Sequence, residues 1–292
     1  MAGGFAIFLS ASGAFLPQDV DYLGMQVRDL CNIGNCRTVH FMFHDRVSFG
    51  GVLIAIGLLY LWLAEFPLRE GKAWAWWTLF ASGVIGFGSF LAYLGYGYLD
   101  TWHGVATLLL LPIFTTGMWK SFSLLKDGNS WKLLMRDIRS LNFKSRIGLG
   151  WILVLFTGLG MMGAGTVIMV LGMTSVFVPE DLLYLQTTAS QIASINPHLV
   201  PLIAHDRAGF GGGLDCAGVM VALIALHAKP SRHVWQALLF AGTIGFVCAI
   251  CVHICIGYLV PVHVAPAIMG AIIFLTGMTM IYPDCHGIVG GR

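Results

Sequence analysis

The chain has 292 residues, of which 57% are hydrophobic and 10% charged, and its mean hydropathy is +0.81. An ordinary soluble domain carries about 25% charged residues, so this composition excludes a soluble globular protein and indicates a polytopic membrane protein in a lipid bilayer. The net charge of +2 does not favour a nucleic-acid partner.

Apolar runs that suit a bilayer crossing follow one another along the chain. The three clear runs of the first half are at about 47–64, 74–97 and 104–118. The four runs of the second half are at about 148–176, 208–228, 234–258 and 264–282. A shorter run at 3–15 precedes them, so the first helix is predicted to be incomplete and Met1 to be internal to a longer reading frame.

One stretch of the sequence occurs twice. Residues 44–51 read His-Asp-Arg-Val-Ser-Phe-Gly-Gly, and residues 205–212 read His-Asp-Arg-Ala-Gly-Phe-Gly-Gly. Other blocks keep nearly the same offset, because residues 15–23 match 177–185. A single register over separate blocks indicates an internal duplication.

The duplication predicts the fold class, which is an all-α membrane protein with about eight transmembrane helices in two four-helix repeats. An even number of spans orients both halves in the same way, so a pseudo-two-fold axis along the membrane normal is expected. The predicted division is a first repeat at 1–118, a basic linker at 119–147, a second repeat at 148–282 and a tail at 283–292.

Basic residues predict the orientation in a bacterial inner (plasma) membrane. The linker contains seven lysines and arginines, and Arg69, Lys72, Lys229 and Arg232 lie in two short connections. By the positive-inside rule these loops are cytoplasmic, which places both His-Asp-Arg motifs near the outer face.

A disulfide is predicted in the loop before the first motif. Cys31 and Cys36 share this polar loop, which faces the outer compartment in the predicted topology. An oxidising compartment allows such a pair to form a bond.

Ionisable residues at a membrane boundary are costly unless they are paired or used in function. In a structural interpretation of the motifs, Asp45 and Asp206 cap helices while Arg46 and Arg207 pair with acids or reach the interface. This interpretation leaves the histidines unexplained.

The histidines suggest a cofactor site. In the predicted topology, His44 and His103 lie at the same depth of the first bundle, near its outer side. His205, His253 and His263 do so in the second bundle. Imidazoles on facing helices hold haem or metals in helical bundles, so haem b or a transition metal is a hypothesis here. The alternative is a set of hydrogen-bonded core histidines.

The two halves differ in their carboxylates. Arg46 is expected to pair with Asp100, whereas Val260 occupies the matching position of the second half, so Arg207 must find another acid or a carbonyl. Asp215 lies within a spanning segment and requires a partner or belongs to an ion path. These differences predict that the second bundle is the active one and its site the looser one.

The duplicated motif, with Gly97-Tyr98-Leu99-Asp100-Thr101-Trp102-His103 after it, resembles a family of bacterial multi-pass membrane proteins with a duplicated HDRxxFGG…GYxDxxH unit. The resemblance covers nearly the whole chain. It implies the topology and the repeat, and it implies no particular activity. The second half departs from the pattern at Val260, which places the role of its histidine in doubt.

Three functions remain open, and with them whether the chain is an enzyme. The first is a membrane redox protein that binds haem or a metal through its histidines. The second is a transporter or proton-path protein that uses Asp215 and the two motifs. The third is a non-catalytic subunit of a larger complex, for which other membrane subunits are partners; a quinone is a further expected partner.

Overall fold

The computed structural model describes residues 1–34, 36–91, 98, 101–126, 128, 130–135 and 138–287, except the side chains at 34, 90, 91 and 101–103. The regular elements of these residues are helical. The first six α-helices are α1 (Ala2–Ala11), α2 (Pro17–Leu23), α3 (Val27–Gly34), α4 (Arg37–Leu63), α5 (Ala73–Leu91) and α6 (Thr101–Phe122). The other six are α7 (Arg146–Met173), α8 (Pro179–Leu185), α9 (Ala189–Ile195), α10 (Leu199–His227), α11 (Arg232–Ile256) and α12 (Pro261–Cys285).

Within the described part of the chain, six helices are long and apolar enough to cross a membrane. They are α4 with the π-helical turn Ala64–Leu68, α6 from Gly104 onward, α7, α10, α11 and α12. Helix α1 is apolar but has only 10 residues. The all-helical class and the long apolar helices agree with the sequence prediction, whereas eight spans and a pseudo-two-fold axis are not confirmed.

Short helices at corresponding places in the two halves begin in the same way. Helices α2 and α8 start at Pro17 and Pro179, because proline has no backbone N–H and loses no hydrogen bond at the first helical position. The carboxylate of Asp181 accepts a hydrogen bond from the backbone N–H of Val178 at 2.8 Å, which holds the first turn of α8. Asp19 does the same in α2.

The long helices pack across the two halves of the chain. Helix α10 is the most deeply buried of the six long helices, and it packs against α4, α5 and α7. Helix α4 packs against α1 and α11, while α12 packs against α7 and α11. The prediction of two bundles, each built from one half, therefore differs from the packing, because α4 joins helices of the second half and α10 joins α5 of the first.

Glycines set the close approach of α7 and α10. A Cβ atom at Gly218 would lie only 2.7 Å from the carbonyl oxygen of Gly158, and a Cβ at Gly165 would lie 2.6 Å from that of Gly211. These distances are too short for any side chain, so the two backbones meet directly, as small residues allow in membrane helices. The contact fixes α10 at the centre of the molecule.

The basic linker packs against the bundle. The guanidinium of Arg139 lies 4.0 Å from the centre of the Trp151 ring and donates to the carbonyls of Ala225 and Ala228. Burial lowers the pKa of Arg139, while the carboxylate of Asp284 3.9 Å away raises it. Helix α12 continues through Cys285, past the expected end of the second repeat at residue 282.

Candidate functional site

Arg46 joins two aspartates from different halves of the chain. Its Nη1 donates to Asp19 Oδ2 at 2.6 Å and its Nε to Asp206 Oδ2 at 2.7 Å. The hydroxyl of Tyr98 donates to the other oxygen of Asp19 at 2.8 Å. Asp100, the partner predicted for Arg46, lies outside the described residues, so that pair remains a prediction.

Arg207 has a corresponding set of partners. Its Nη1 donates to Asp181 Oδ2 at 2.6 Å and to the carbonyl of Val176 at 2.5 Å, and its Nε lies 3.5 Å from Asp45 Oδ2. Arg207 thus contacts both kinds of partner that the sequence called for, another acid and a carbonyl. Burial raises the pKa of Tyr258, so its hydroxyl keeps its proton and donates to Asp181.

The two arginine sites are more alike than the sequence predicts. Each arginine contacts one aspartate from its own half and one from the other half, so the expected looser site around Arg207 is not observed. Asp215 does not contribute to it, because its carboxylate accepts from the Thr166 hydroxyl at 3.3 Å on α7 and is partly exposed. The structure therefore does not bring Asp215 to the motifs.

His44 lies against His253, which the sequence assigned to the other bundle. Their Nε2 atoms are 2.9 Å apart and the rings are nearly perpendicular, at 86°. The Nδ1 of His253 donates to the carbonyl of Ala249 at 2.6 Å. The Nδ1 of His44 lies 3.1 Å from Asp45 Oδ1, within ion-pair distance but without hydrogen-bond alignment. The grouping of histidines by half is wrong for this pair because α4 packs against α11.

The other predicted histidines lie around this pair or apart from it. His263 lies near it, with its ring 5.0 Å from that of Tyr258. His205 instead contacts the first half, where its ring meets that of Tyr98 at 5.1 Å. The side chain of His103 lies outside the described residues.

A cavity of about 440 Å³ lies between α4, α7, α10, α11 and α12. One end, which we call the histidine end, is lined by His44, His253, His263 and Arg207. From there the cavity follows α11 from His253 to Ala241, about 18 Å at a rise of 1.5 Å per residue. Its volume is within the range of about 300–1,000 Å³ that small-molecule sites occupy.

The polar and apolar surfaces of this cavity are separated along its length. Beyond the histidine end, the wall is mainly aliphatic and aromatic, with Leu59, Phe156, Met161, Phe246 and Phe274 among its members. Such a wall has no partner for a charged ligand. The cavity therefore suits a long apolar molecule with a single polar end.

Several buried polar atoms at the histidine end have no hydrogen-bond partner. They are His44 Nδ1, Asp45 Oδ2, Ser48 Oγ, Arg207 Nε and His263 Nε2, and all of them except Ser48 Oγ lie at an ion-pair distance of 3.1–3.8 Å from another group of the site. A buried polar atom without a partner costs about 1–3 kcal/mol, so a cluster of them favours a polar ligand group at this place.

The fit to a metal or a haem was tested on the histidine pair. Two imidazoles in trans on one haem iron or metal, with bonds of about 2.0–2.1 Å, would place their nitrogens about 4 Å apart. The observed 2.9 Å between His44 and His253 does not fit two axial ligands of a haem. The described residues also contain no group of three or more His, Cys, Asp or Glu side chains that could hold a metal ion.

Cys31 and Cys36 form the predicted disulfide. The bond links α3 to the residue before α4, the helix that carries His44. It therefore ties the loop to the start of the helix that supplies the first motif.

The arginine partners in the short helices were not predicted from the sequence. Asp19 and Asp181 are 1% and 0% exposed, and each contacts an arginine. Tyr98 and Tyr258, which donate to them, were not assigned a role. All four belong to the repeated blocks, and their recurrence beside an arginine motif was the signal that could have found them.

Comparison with protein-family models, with curated proteins and with solved structures gives no match for this chain. The function is therefore argued from the geometry and chemistry of the site.

Proposed function

We propose that the chain is an integral membrane protein that binds an elongated amphipathic molecule of the isoprenoid quinone class. The polar head of the molecule lies among His44, His253 and His263, and its tail lies along the apolar wall. The observation that carries this proposal is a cavity about 18 Å long with buried polar atoms that make no hydrogen bond at one end. Quinone oxygens accept hydrogen bonds, and a quinone ligand gives the protein a role in membrane redox chemistry.

The proposed location is a bacterial inner membrane with the histidine end near the outer face. Three features support it: the basic linker and loops at the opposite end, the positive-inside rule, and the disulfide near the motif. The equivalent contacts of Arg46 and Arg207 support a duplicated unit, as in the bacterial family that the repeated motif resembles.

A pair of glycine variants on α7 tests the ligand. Gly160 lines the cavity and Gly163 does not, and a Cβ atom at either position meets no atom within 4 Å. Leucine at Gly160 fills the cavity, so Gly160→Leu should weaken binding of a short-chain ubiquinone by about tenfold or more, whereas Gly163→Leu should leave it unchanged. The measurement is equilibrium binding to purified protein in nanodiscs.

Two results would contradict the proposal. One is the lack of saturable quinone binding by the wild-type protein. The other is an equal effect of the two variants, because only Gly160 has access to the cavity.

Haem b or a transition metal is the competing occupant, and one observation favours it. The Nδ1 atoms of His44 and His253 both face oxygen atoms, as in metal sites where such contacts orient the ring and leave Nε2 for the metal. The 2.9 Å separation argues against both rings binding one haem iron in trans. A Soret band or stoichiometric metal in the purified protein would replace the quinone proposal with this one.

Transport through Asp215 has less support. Asp215 is not among the residues that line the cavity, and its contact is with Thr166. The role of a non-catalytic subunit leaves the cavity and its unpartnered polar atoms without an explanation.

A further inference from the structure

The two arginine sites, of which the Arg207 site reaches the histidine end, contain more buried negative than positive charge among the described residues. Their charged side chains are at most 11% exposed, and they are Asp19, Asp45, Asp181, Asp206, Arg46 and Arg207. At each site, two carboxylates against one guanidinium leave one negative charge. Buried charges are expensive unless compensated, so this network requires additional protons or cations.

The hydrogen bonds of the histidine pair indicate where one of these protons lies. A carbonyl oxygen only accepts, so His253 must carry its proton on Nδ1, which faces Ala249. The Nε2 of a neutral His253 is then an acceptor, and His44 must donate to it from its own Nε2 at 2.9 Å. This assigns the direction of the hydrogen bond.

The second nitrogen of His44 faces a carboxylate. Its Nδ1 lies 3.1 Å from Asp45 Oδ1, and the two residues are 5% and 2% exposed. An unprotonated Nδ1 would leave a lone pair beside a negative oxygen in a place that excludes water. A protonated Nδ1 is attracted to the same oxygen, although the two groups are not aligned for a hydrogen bond. The contact therefore favours protons on both nitrogens of His44.

The groups around His44 come from each element packed against it. Besides Asp45 on its own helix, they are His253 from α11, Tyr258 from the turn after α11, His263 from α12, Arg207 from α10 and Asp181 from α8. Arg207 is shared between two carboxylates. It therefore leaves part of the negative charge for His44 to balance.

We propose that the histidine end is a proton-binding site in which His44 is a buried imidazolium, ion-paired with Asp45 and hydrogen-bonded to a neutral His253. The charges of His44 and Arg207 then balance those of Asp45 and Asp181, and both N–H groups of His44 are already used within the protein. The head of the cavity therefore carries no net charge and favours an uncharged polar group over an anion. The inference goes beyond the proposed function and does not depend on which molecule the cavity binds.

Magic-angle-spinning NMR of ¹⁵N-histidine-labelled protein in bilayers without added ligand tests the proposal at pH 7. We expect one imidazolium with an Nε2–H···Nε2 coupling to a neutral ring protonated at Nδ1. The signal should disappear in His44→Gln and in Asp45→Asn, which removes the compensating charge. It should remain in His233→Gln, because His233 lies at the other end of α11 beside Trp62.

The wild-type spectrum decides the question even if a variant does not fold, because the coupling identifies the pair. Two neutral rings, both protonated at Nδ1, would overturn the proposal; a metal ion between the Nε2 atoms would produce that pattern. Persistence of the coupled imidazolium in folded His44→Gln or Asp45→Asn would also overturn it.

Discussion

Arg207 and Arg69 have the same side chain in opposite surroundings. Arg207 is 7% exposed and contacts two carboxylates, whereas Arg69 is 74% exposed and pairs with Glu65 one helical turn away. Breaking a buried pair leaves charge without compensation, which costs far more than losing a pair in water.

This contrast gives a prediction for stability. Arg207→Gln should lower the free energy of unfolding by about 3–5 kcal/mol, and Arg69→Gln by at most about 1 kcal/mol. Unfolding of the purified variants in detergent, followed by tryptophan fluorescence, measures both. Similar losses in the two variants would show that the network around Arg207 does not stabilise the fold.

At the level of single residues, the sequence indicated which polar side chains need a partner. It did not indicate which residues of different helices contact each other. Arg46 and Arg207 were expected to be paired, and Cys31 and Cys36 to be bonded. The contact of His44 with His253 was not predicted. That contact depends on the packing of α4 against α11, which no spacing within one helix reveals.

The glycines of α7 and α10 lead to a prediction at the level of the helices. Gly218→Leu places a side chain against the α7 backbone, where even a Cβ would be 2.7 Å from the Gly158 carbonyl oxygen. Overpacking of this kind costs about 1–3 kcal/mol, occasionally more. The midpoint of thermal unfolding should fall clearly.

Gly57→Leu is the matched control, because Gly57 occupies the equivalent position of α4 and a Cβ there meets no atom within 4 Å. It should leave the unfolding midpoint nearly unchanged. An equal loss of stability in both variants would mean that the α7–α10 contact is not the tight one.

The existence and order of the helices were predictable, and their packing partners were not. Apolar runs identified the long helices, and prolines suited to a first helical turn, Pro17 and Pro179, stand at the start of α2 and α8. The long helices are apolar on most sides, so the pattern of one helix does not indicate which neighbour it meets. The cavity arises from that packing and was therefore invisible in the sequence.

The topology of the whole molecule leads to a prediction about access from either side of the membrane. In a chain otherwise free of cysteine, Ser130→Cys in the linker should be protected from an impermeant maleimide in intact cells. Ser190→Cys in α9 should be labelled, because α9 lies beside the start of α10, which carries the second motif. The reverse pattern would place the basic loops outside and invert the proposed orientation.

The cavity depends on the whole molecule, because both halves of the chain line it. Helix α4 supplies His44 and part of the apolar wall from the first half, and α7, α10, α11 and α12 supply most of the remaining wall from the second. The site should therefore be lost when the two halves are expressed apart and kept when they are expressed together. Quinone binding by the separate and combined halves measures this.

An experimental density map of the protein extracted from its own membrane tests the central claim most directly. We predict elongated density that begins beside His44 and His253 and continues along the apolar wall toward Phe274. A flat, disc-shaped density with a metal peak beside His253, or a cavity closed by collapsed side chains, would contradict the account.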